Sequence, residues 1–290
     1  MLKAMIKTLR IRQWPKNGFV FLAVIFDLKL TNTEAMARSL AGFLIFCLLS
    51  GAVYVFNDIR DVQADRLHPK KRFRPIASGK LPISAAYLEA AVLLAVTLPA
   101  AYFLAPLFFF ICLAYFLLNL AYSVWLKHIP LIDVLILASG FVLRVGGGVS
   151  IIQVVRFSPW LYLMTLLLAL YMGFGKRRAE LSDLGGTTST QRKVLGGYTL
   201  PFLDQLITIV SSTTIIAYSL YTFSAPNLPE DHSMMLTIPF VVYGIFRYLY
   251  LIQVKHEGGA PEELLLTDRP LQLTVLSCGL IIVLIFYIVR

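Results

Sequence analysis

The chain has 290 residues, of which 58% are hydrophobic and 14% charged, with a mean hydropathy of +0.75. A soluble globular domain of this length does not carry that composition, so a polytopic membrane protein is expected. The net charge of +10 calls for no nucleic-acid partner, because the cations gather at the ends of apolar runs, where membrane topology places them.

A bilayer-spanning helix needs about 20 largely apolar residues. Nine runs qualify, at about 17 to 33, 36 to 57, 84 to 104, 106 to 126, 130 to 152, 158 to 176, 200 to 222, 235 to 255 and 270 to 289. They are continuously apolar rather than alternating, so they read as helices and not as barrel strands. The first is the poorest, since Asp27 and Lys29 interrupt it. Before it come Lys3, Lys7, Arg10, Arg12 and Lys16, like the charged start of a signal peptide. No small-residue cleavage site follows, so residues 1–16 are expected to be a basic interfacial arm ahead of a retained helix. With the N-terminus inside, 20 of the 26 Lys and Arg fall on the inner side and four, Lys29, Arg38, Arg156 and Arg290, on the outer. That asymmetry predicts a cytoplasmic N-terminus. Cys47, Cys112 and Cys278 lie within runs, without metal-ligand spacing, and read as small core residues.

The second run ends in the stretch from Tyr54 to Pro82, in which Asn57, Asp58, Asp61 and Asp65 are followed by a group of cations. A helix continuing past Phe56 would put Asp58, Asp61 and Asp65 at i, i+3 and i+7, on one face. Three converging carboxylates repel one another unless a cation joins them, and hard oxygen ligands beside a substrate phosphate suit Mg2+. Arg66, Lys70, Lys71, Arg72 and Arg74 would hold the remainder of a phosphorylated group, the arginines in bidentate fashion. The plainer reading is a solvated basic loop marking the cytoplasmic side.

Further along, the connections between the third and fourth runs and between the fifth and sixth are short, which makes those helices antiparallel neighbours. Tyr122 and Lys127 end the fourth run at the inner face, within reach of a cavity or as belt residues. Glu89, Asp133, Arg144, Asp204 and Arg247 lie within runs, where a charge costs on the order of 3 kcal/mol and usually faces an interior. For Arg144, an ion pair with Glu89 and a contact to substrate both stand open. Gly146, Gly147 and Gly148 after it predict close helix packing or a break lining a cavity. The second long inner loop, 176–199, opens on Lys176, Arg177, Arg178 and Glu180. Lys176 and Glu180 share a helix face there and could close over an anion, or simply end a helix with favourable basic charge. The two inner loops have similar layouts, which suggests two related halves. A third inner segment holds Pro261 to Glu263 and Thr267 to Pro270, where Asp268 and Arg269 read as a helix start. His68, His128, His232 and His256 are scattered, and no phosphate-cradling glycine loop is present.

The pattern Asn57-Asp58-xx-Asp61-xxx-Asp65 at the end of a second span resembles the first aspartate-rich motif of the UbiA superfamily of intramembrane prenyltransferases. Nine runs, with long inner loops after the second and sixth, match that family over nearly the whole chain. The longer string from Asn57 to Gly79, with Gln13 to Asn17, Lys176 to Leu181 and Asp268 to Leu271, is similar to one branch, the decaprenyl-phosphate phosphoribosyltransferases. The family's prenyl diphosphate users usually carry a second DxxxD motif after span six, where this chain has Lys176-Arg177-Arg178-Ala179-Glu180. An acceptor that is itself a phosphate wants cations at that place.

The resemblance implies an all-α polytopic membrane protein, about nine helices around a central cavity open to the cytoplasmic side, forming a single domain over 1–290. It implies transfer of 5-phosphoribose from phosphoribosyl diphosphate to a polyprenyl phosphate, releasing diphosphate, in lipid-linked arabinose precursor and cell-wall synthesis. In that reading Asp58, Asp61 and Asp65 are catalytic and, with Asn57, hold Mg2+ on the leaving diphosphate. Arg66, Lys70 and Arg74 bind the donor phosphates, and Lys176, Arg177 and Arg144 the lipid phosphate. Lys16, Asn17, Tyr54, Tyr122, Lys127, Glu180 and Arg247 complete the expected substrate contacts. The enzyme would sit in the inner membrane of a bacterium or archaeon, with a homo-oligomer left open. Prenyl transfer to an aromatic or quinone acceptor, and a membrane transporter, are the competing readings.

Overall fold

The computed structural model describes all residues except 153, 155–157, 184–192, 226–227, 258, 260–263, 265–266 and 290. Arg156, Arg290, Pro261 to Glu263 and the middle of the second inner loop therefore lie outside the described residues. Every regular element among those described is helical.

The chain opens with α1 (Leu2–Thr8), a 3-10 segment (Ile11–Phe21) and α2 (Leu22–Phe26). The first apolar run is thus not one helix, as expected from its length. Pro15 sits inside the 3-10 segment, and after α2 the chain turns at Leu28 with φ 58°, where Asp27 and Lys29 pair at 2.8 Å. Proline removes a backbone donor, and a left-handed residue cannot continue a right-handed helix.

α3 (Thr33–Arg60) follows, its start fixed by the Asn32 side chain accepting from the Ala35 amide at 2.9 Å. α4 (Val62–Leu67) and a 3-10 turn (Lys71–Phe73) lead into α5 (Ile83–Leu104). A single extended residue, Ala105, separates α5 from α6 (Pro106–Val124), whose Pro106 occupies the first helical position. Then come α7 (Ile132–Ile151), α8 (Pro159–Asp183), α9 (Leu200–Ser224), α10 (Ile238–Gln253) and α11 (Arg269–Leu284). Among the described residues seven stretches are long and apolar enough to cross a membrane: α3, α5, α6, α7, α9, Ser233–Gln253 and Arg269–Ile288. α8, at 25 residues, matches the sixth expected run but ends in a charged turn, Lys176 to Asp183. The protein is a multi-pass, all-helical membrane protein.

The chain forms two compact units. The first holds Met1–Leu126 and Gly140–Val155. Its core gathers Val20, Val24, Phe46, Leu49, Phe108, Cys112 and Tyr115, with Phe46 edge-on to both Phe108 and Tyr115 at 5.5 Å. Two of the three expected packing glycines explain how α7 fits. A Cβ on Gly147 would lie 2.6 Å from the Phe46 ring, and one on Gly148 would lie 2.1 Å from the Val20 carbonyl oxygen. Only hydrogen lets the 3-10 segment and α7 approach so closely. Arg38 donates to the carbonyls of Leu104 and Ile151, each at 2.8 Å, closing two helix ends with one cation.

The second unit holds Lys127–Ser139 and 156–290. Tyr171, Phe174, Leu203, Ile207, Tyr248 and Ile252 pack with Val134 at its centre, and Gly173 leaves room for a Val134 methyl.

Candidate active site

The end of α3 carries the acidic residues, and the break after it decides which of them meet. α3 stops at Arg60, Asp61 takes φ −93° and ψ 9°, and α4 begins at Val62. Asp58 in α3 and Asp65 in α4, 2% and 3% exposed, flank this break. Arg74 Nη1 lies 3.1 Å from Asp58 Oδ1 and 2.7 Å from Asp65 Oδ2, bridging them. Among the described residues no three carboxyl, imidazole or thiol groups converge as metal ligands. The triad expected from the i, i+3, i+7 spacing is in the structure a pair, because the helix pauses at Asp61 itself. Asp61 itself is half-buried and has an interaction of its own. Beside the pair, the Asn57 side-chain oxygen accepts from the Ser123 hydroxyl.

The loop after α4 is shaped by its own hydrogen bonds. His68 Nδ1 accepts from the amides of Lys70 and Lys71 at 3.1 and 3.3 Å. Its ring is held below the usual imidazole range by desolvation and then by Lys71, which keeps that nitrogen an acceptor. Arg66 Nε reaches the Ala77 carbonyl at 3.4 Å, while Lys70 and the rest of Arg66 stay exposed. Gly79, with φ 77°, closes the loop in a conformation that favours glycine.

Sequence reasoning missed Arg10. It sits between α1 and the 3-10 segment with φ 49° and ψ 56°. Its guanidinium bonds Asp58 Oδ1 and lies over the Tyr54 ring, 4.7 Å from the centroid. Only a count of inner-side charges had touched it, since nothing in the spacing links residue 10 to residue 58.

Arg144 does not pair with Glu89. Nε donates to Asn17 Oδ1 at 2.7 Å, Nη1 to the Gly140 carbonyl and Nη2 to the Tyr115 hydroxyl, both at 2.8 Å. The guanidinium also faces the rings of Tyr115 and Phe141, at 4.8 and 5.5 Å. It is 6% exposed, and all its hydrogen-bond partners are neutral. Asn17, 1% exposed, further donates to Cys47 Sγ and Ser50 Oγ at 3.3 Å. Glu89 instead accepts from Thr8 of α1 at 2.8 Å. Lys16 and Tyr122 are half-buried in the same unit.

In the second unit the basic end of α8 is held internally. Arg177 Nε donates to Asp133 Oδ2 at 2.6 Å and Nη1 to Glu180 Oε2 at 2.7 Å. The Tyr198 hydroxyl donates to Asp133 Oδ1 at 2.7 Å and accepts from the Leu131 amide at 2.6 Å. Glu180, expected to share with Lys176 a face that closes over an anion, carries an ion pair with Arg177. Lys176 and Lys127 are half-buried and engaged. Arg178 pairs with Asp204 at 2.6 Å. Arg247, expected deep in a span, forms a two-toothed contact with Asp268 at 3.1 and 2.7 Å. Asp268 in turn accepts from the Leu271 amide at 2.9 Å, so the expected helix start is there.

A fit for a divalent cation can be judged from the donors. Asp58 and Asp65 are buried and turn one oxygen each toward a single cationic nitrogen. Hard oxygens converging on one positive point suit a divalent ion.

Comparison with known proteins agrees with this architecture. The UbiA prenyltransferase family matches residues 19–262. A protein of Corynebacterium glutamicum named decaprenyl-phosphate phosphoribosyltransferase is 35% identical, over 98% of this chain and 87% of its own length. One of the same name from Mycobacterium tuberculosis is 34% identical, over 96% of this chain and 92% of its own. Among solved structures, a UbiA homolog from Archaeoglobus fulgidus bound to GPP and Mg2+ superposes with a TM-score of 0.74. It covers 96% of both chains at 19% identity, a likeness of fold. Family match and near full-length identity together make this chain a member of the UbiA prenyltransferase family, a membrane-embedded transferase.

Proposed function

We propose that the protein transfers 5-phosphoribose from phosphoribosyl diphosphate to a polyprenyl phosphate, decaprenyl phosphate or a close analogue, and releases diphosphate. The observation that carries this reading is the meeting of two buried carboxylates, Asp58 and Asp65, on one cationic nitrogen in a chain that aligns almost end to end with phosphoribosyltransferases. The basic turn Lys176 to Arg178 supports a phosphate acceptor over an aromatic one.

Asn57, Asp58, Asp61 and Asp65 would hold Mg2+, which supplies charge neutralisation to the departing diphosphate. Arg74 and Arg66, with Lys70, orient the donor phosphates from a loop braced by His68. Lys176 takes the acceptor phosphate, with Arg177 as the brace that Asp133 and Glu180 fix in place. Arg144, whose charge meets only neutral partners, adds a positive field from the interior of its unit. The acceptor phosphate is ionised at neutral pH, so no dedicated base is required. Rate enhancement then rests on position and electrostatics.

In this reading the acidic and basic loops lie at the cytoplasmic face of an inner membrane, and the product feeds lipid-linked pentose for cell-wall synthesis. The test is to incubate membranes bearing the protein with labelled phosphoribosyl diphosphate, Mg2+ and polyprenyl phosphate. A lipid-extractable labelled ribose phosphate is expected, and its absence under conditions where labelled prenyl diphosphate does react would overturn the proposal.

A further inference from the structure

We infer that Arg10 is a tethered counter-ion of Asp58 which makes divalent-cation loading depend on the donor, and which itself then binds the donor's diphosphate. This rests on the reading above and extends it to a residue outside the aspartate loop.

Three observations support it. First, the oxygens best placed for a divalent cation are the ones the arginines already hold: Arg10 and Arg74 both take Asp58 Oδ1, and Arg74 also takes Asp65 Oδ2. Second, two carboxylates and two guanidiniums sum to zero charge. A divalent cation added to this set leaves an excess of two positive charges, or of one once Asp61 is counted among its ligands, in a site where Asp58 and Asp65 side chains are only 3% and 4% exposed. Such an excess in a poorly solvated place is costly, and an incoming diphosphate removes it. Metal and donor are therefore coupled by charge alone.

Third, Arg10 is held by its backbone independently of its head. The two residues before it are anchored: Thr8 to Glu89, and the Leu9 carbonyl by the Trp14 indole N–H at 3.3 Å. Leu9 also packs onto Gly51, where a Cβ would come within 2.8 Å of a leucine methyl. The Arg10 side chain, by contrast, is 28% exposed and rests on the face of Tyr54. A guanidinium in that position can leave a carboxylate oxygen for a phosphate oxygen without moving the arm, and its planar fork suits either.

A merely structural arginine and a competing counter-ion differ in sign. Removing a structural support loosens the acid pair and weakens metal binding. Removing a competitor strengthens it. The experiment is Mn2+ titration of the purified full chain in detergent micelles, read by the electron paramagnetic resonance signal of free Mn2+, with and without phosphoribosyl diphosphate. An Asp58→Asn control identifies the site. We expect Arg10→Gln to bind Mn2+ about tenfold more tightly than the parent without donor, the scale of one neighbouring charge. The tightening that donor confers on Mn2+ shrinks in this variant, and the donor's own affinity falls by a similar factor. Arg10→Lys keeps the charge but loses the fork and the ring contact, and tightens Mn2+ by a smaller factor. Should Arg10→Gln not yield folded protein, Arg10→Lys decides alone, by tightening or not. Unchanged or weaker Mn2+ binding in the folded variant overturns the inference while leaving the proposed function standing. Failure of the parent to bind Mn2+ even with donor overturns both.

Discussion

Arg177 and Asp133 meet at 2.6 Å in the interior of the second unit, with side chains 1% and 0% exposed. Charges so placed are stabilising only as a pair, since either one alone would be buried without compensation. Asp133→Asn is expected to cost about 3 to 5 kcal/mol, and the Arg177→Gln, Asp133→Asn double variant to recover part of that loss. Thermal unfolding in detergent checks it, and a double variant no better than the single one would show that Glu180 and Tyr198 carry the network.

Two aspartates of the α3 to α4 junction, Asp61 and Asp65, are expected to separate by phenotype. Asp61→Asn should lower turnover by at least about a hundredfold, the scale of losing an electrostatic group at a transition state, with the melting temperature unchanged. Asp65→Asn should lower turnover and also remove one of the two carboxylates that hold Arg74, loosening the loop that ends at Gly79. Rate assays with hydrogen exchange over residues 66–80 distinguish them. Full activity in Asp61→Asn would confine the chemistry to the Asp58 and Asp65 pair.

Two glycines in helices give opposite forecasts. Gly148→Ala would drive a methyl into the Val20 carbonyl, and should cost about 1 to 3 kcal/mol or prevent folding. At Gly279 nothing lies within 4 Å of an added Cβ, so Gly279→Ala should stabilise α11 by about 0.5 to 1 kcal/mol. Melting temperatures in one detergent compare them directly.

Acid should weaken the join between α10 and α11. The Arg247 guanidinium, bonded to Asp268, holds that carboxyl below its ordinary value of 3.8. A group whose value is depressed on folding adds stability above its unfolded value and loses it as pH falls through the folded one. Asp268→Asn keeps a capping oxygen for the Leu271 amide but removes the charge. Its deficit in melting temperature against the parent should be full near neutral pH and fade below about pH 4.

Seven of the nine apolar runs match, to within a few residues, stretches long and apolar enough to span, because length and hydropathy decide a span and nothing distant needs to be known, whereas the sixth lies in α8, which runs on to Asp183. The first run misled, since Pro15 and the chain reversal at Leu28 act through backbone geometry that mean hydropathy does not register. At the site, the grouping of Asp58 with Asp65 was readable from helical spacing, whereas the pause at Asp61 was not. The partners of Arg144 and Glu89 were the hardest to foresee. Each chose a neutral side chain from the first 17 residues, Asn17 and Thr8, over a complementary charge, and a choice made across such separations leaves no periodicity behind.

The final helix has only 17% of its span covered by protein. Acyl chains must therefore supply most of its surroundings, and twenty residues at helical rise give about 30 Å, close to the thickness of a typical hydrocarbon core. One end is tied by Asp268, so a thinner or thicker lipid film would act first on the other end of this helix. The enzyme's tolerance of different host lipids should be set in part along this helix.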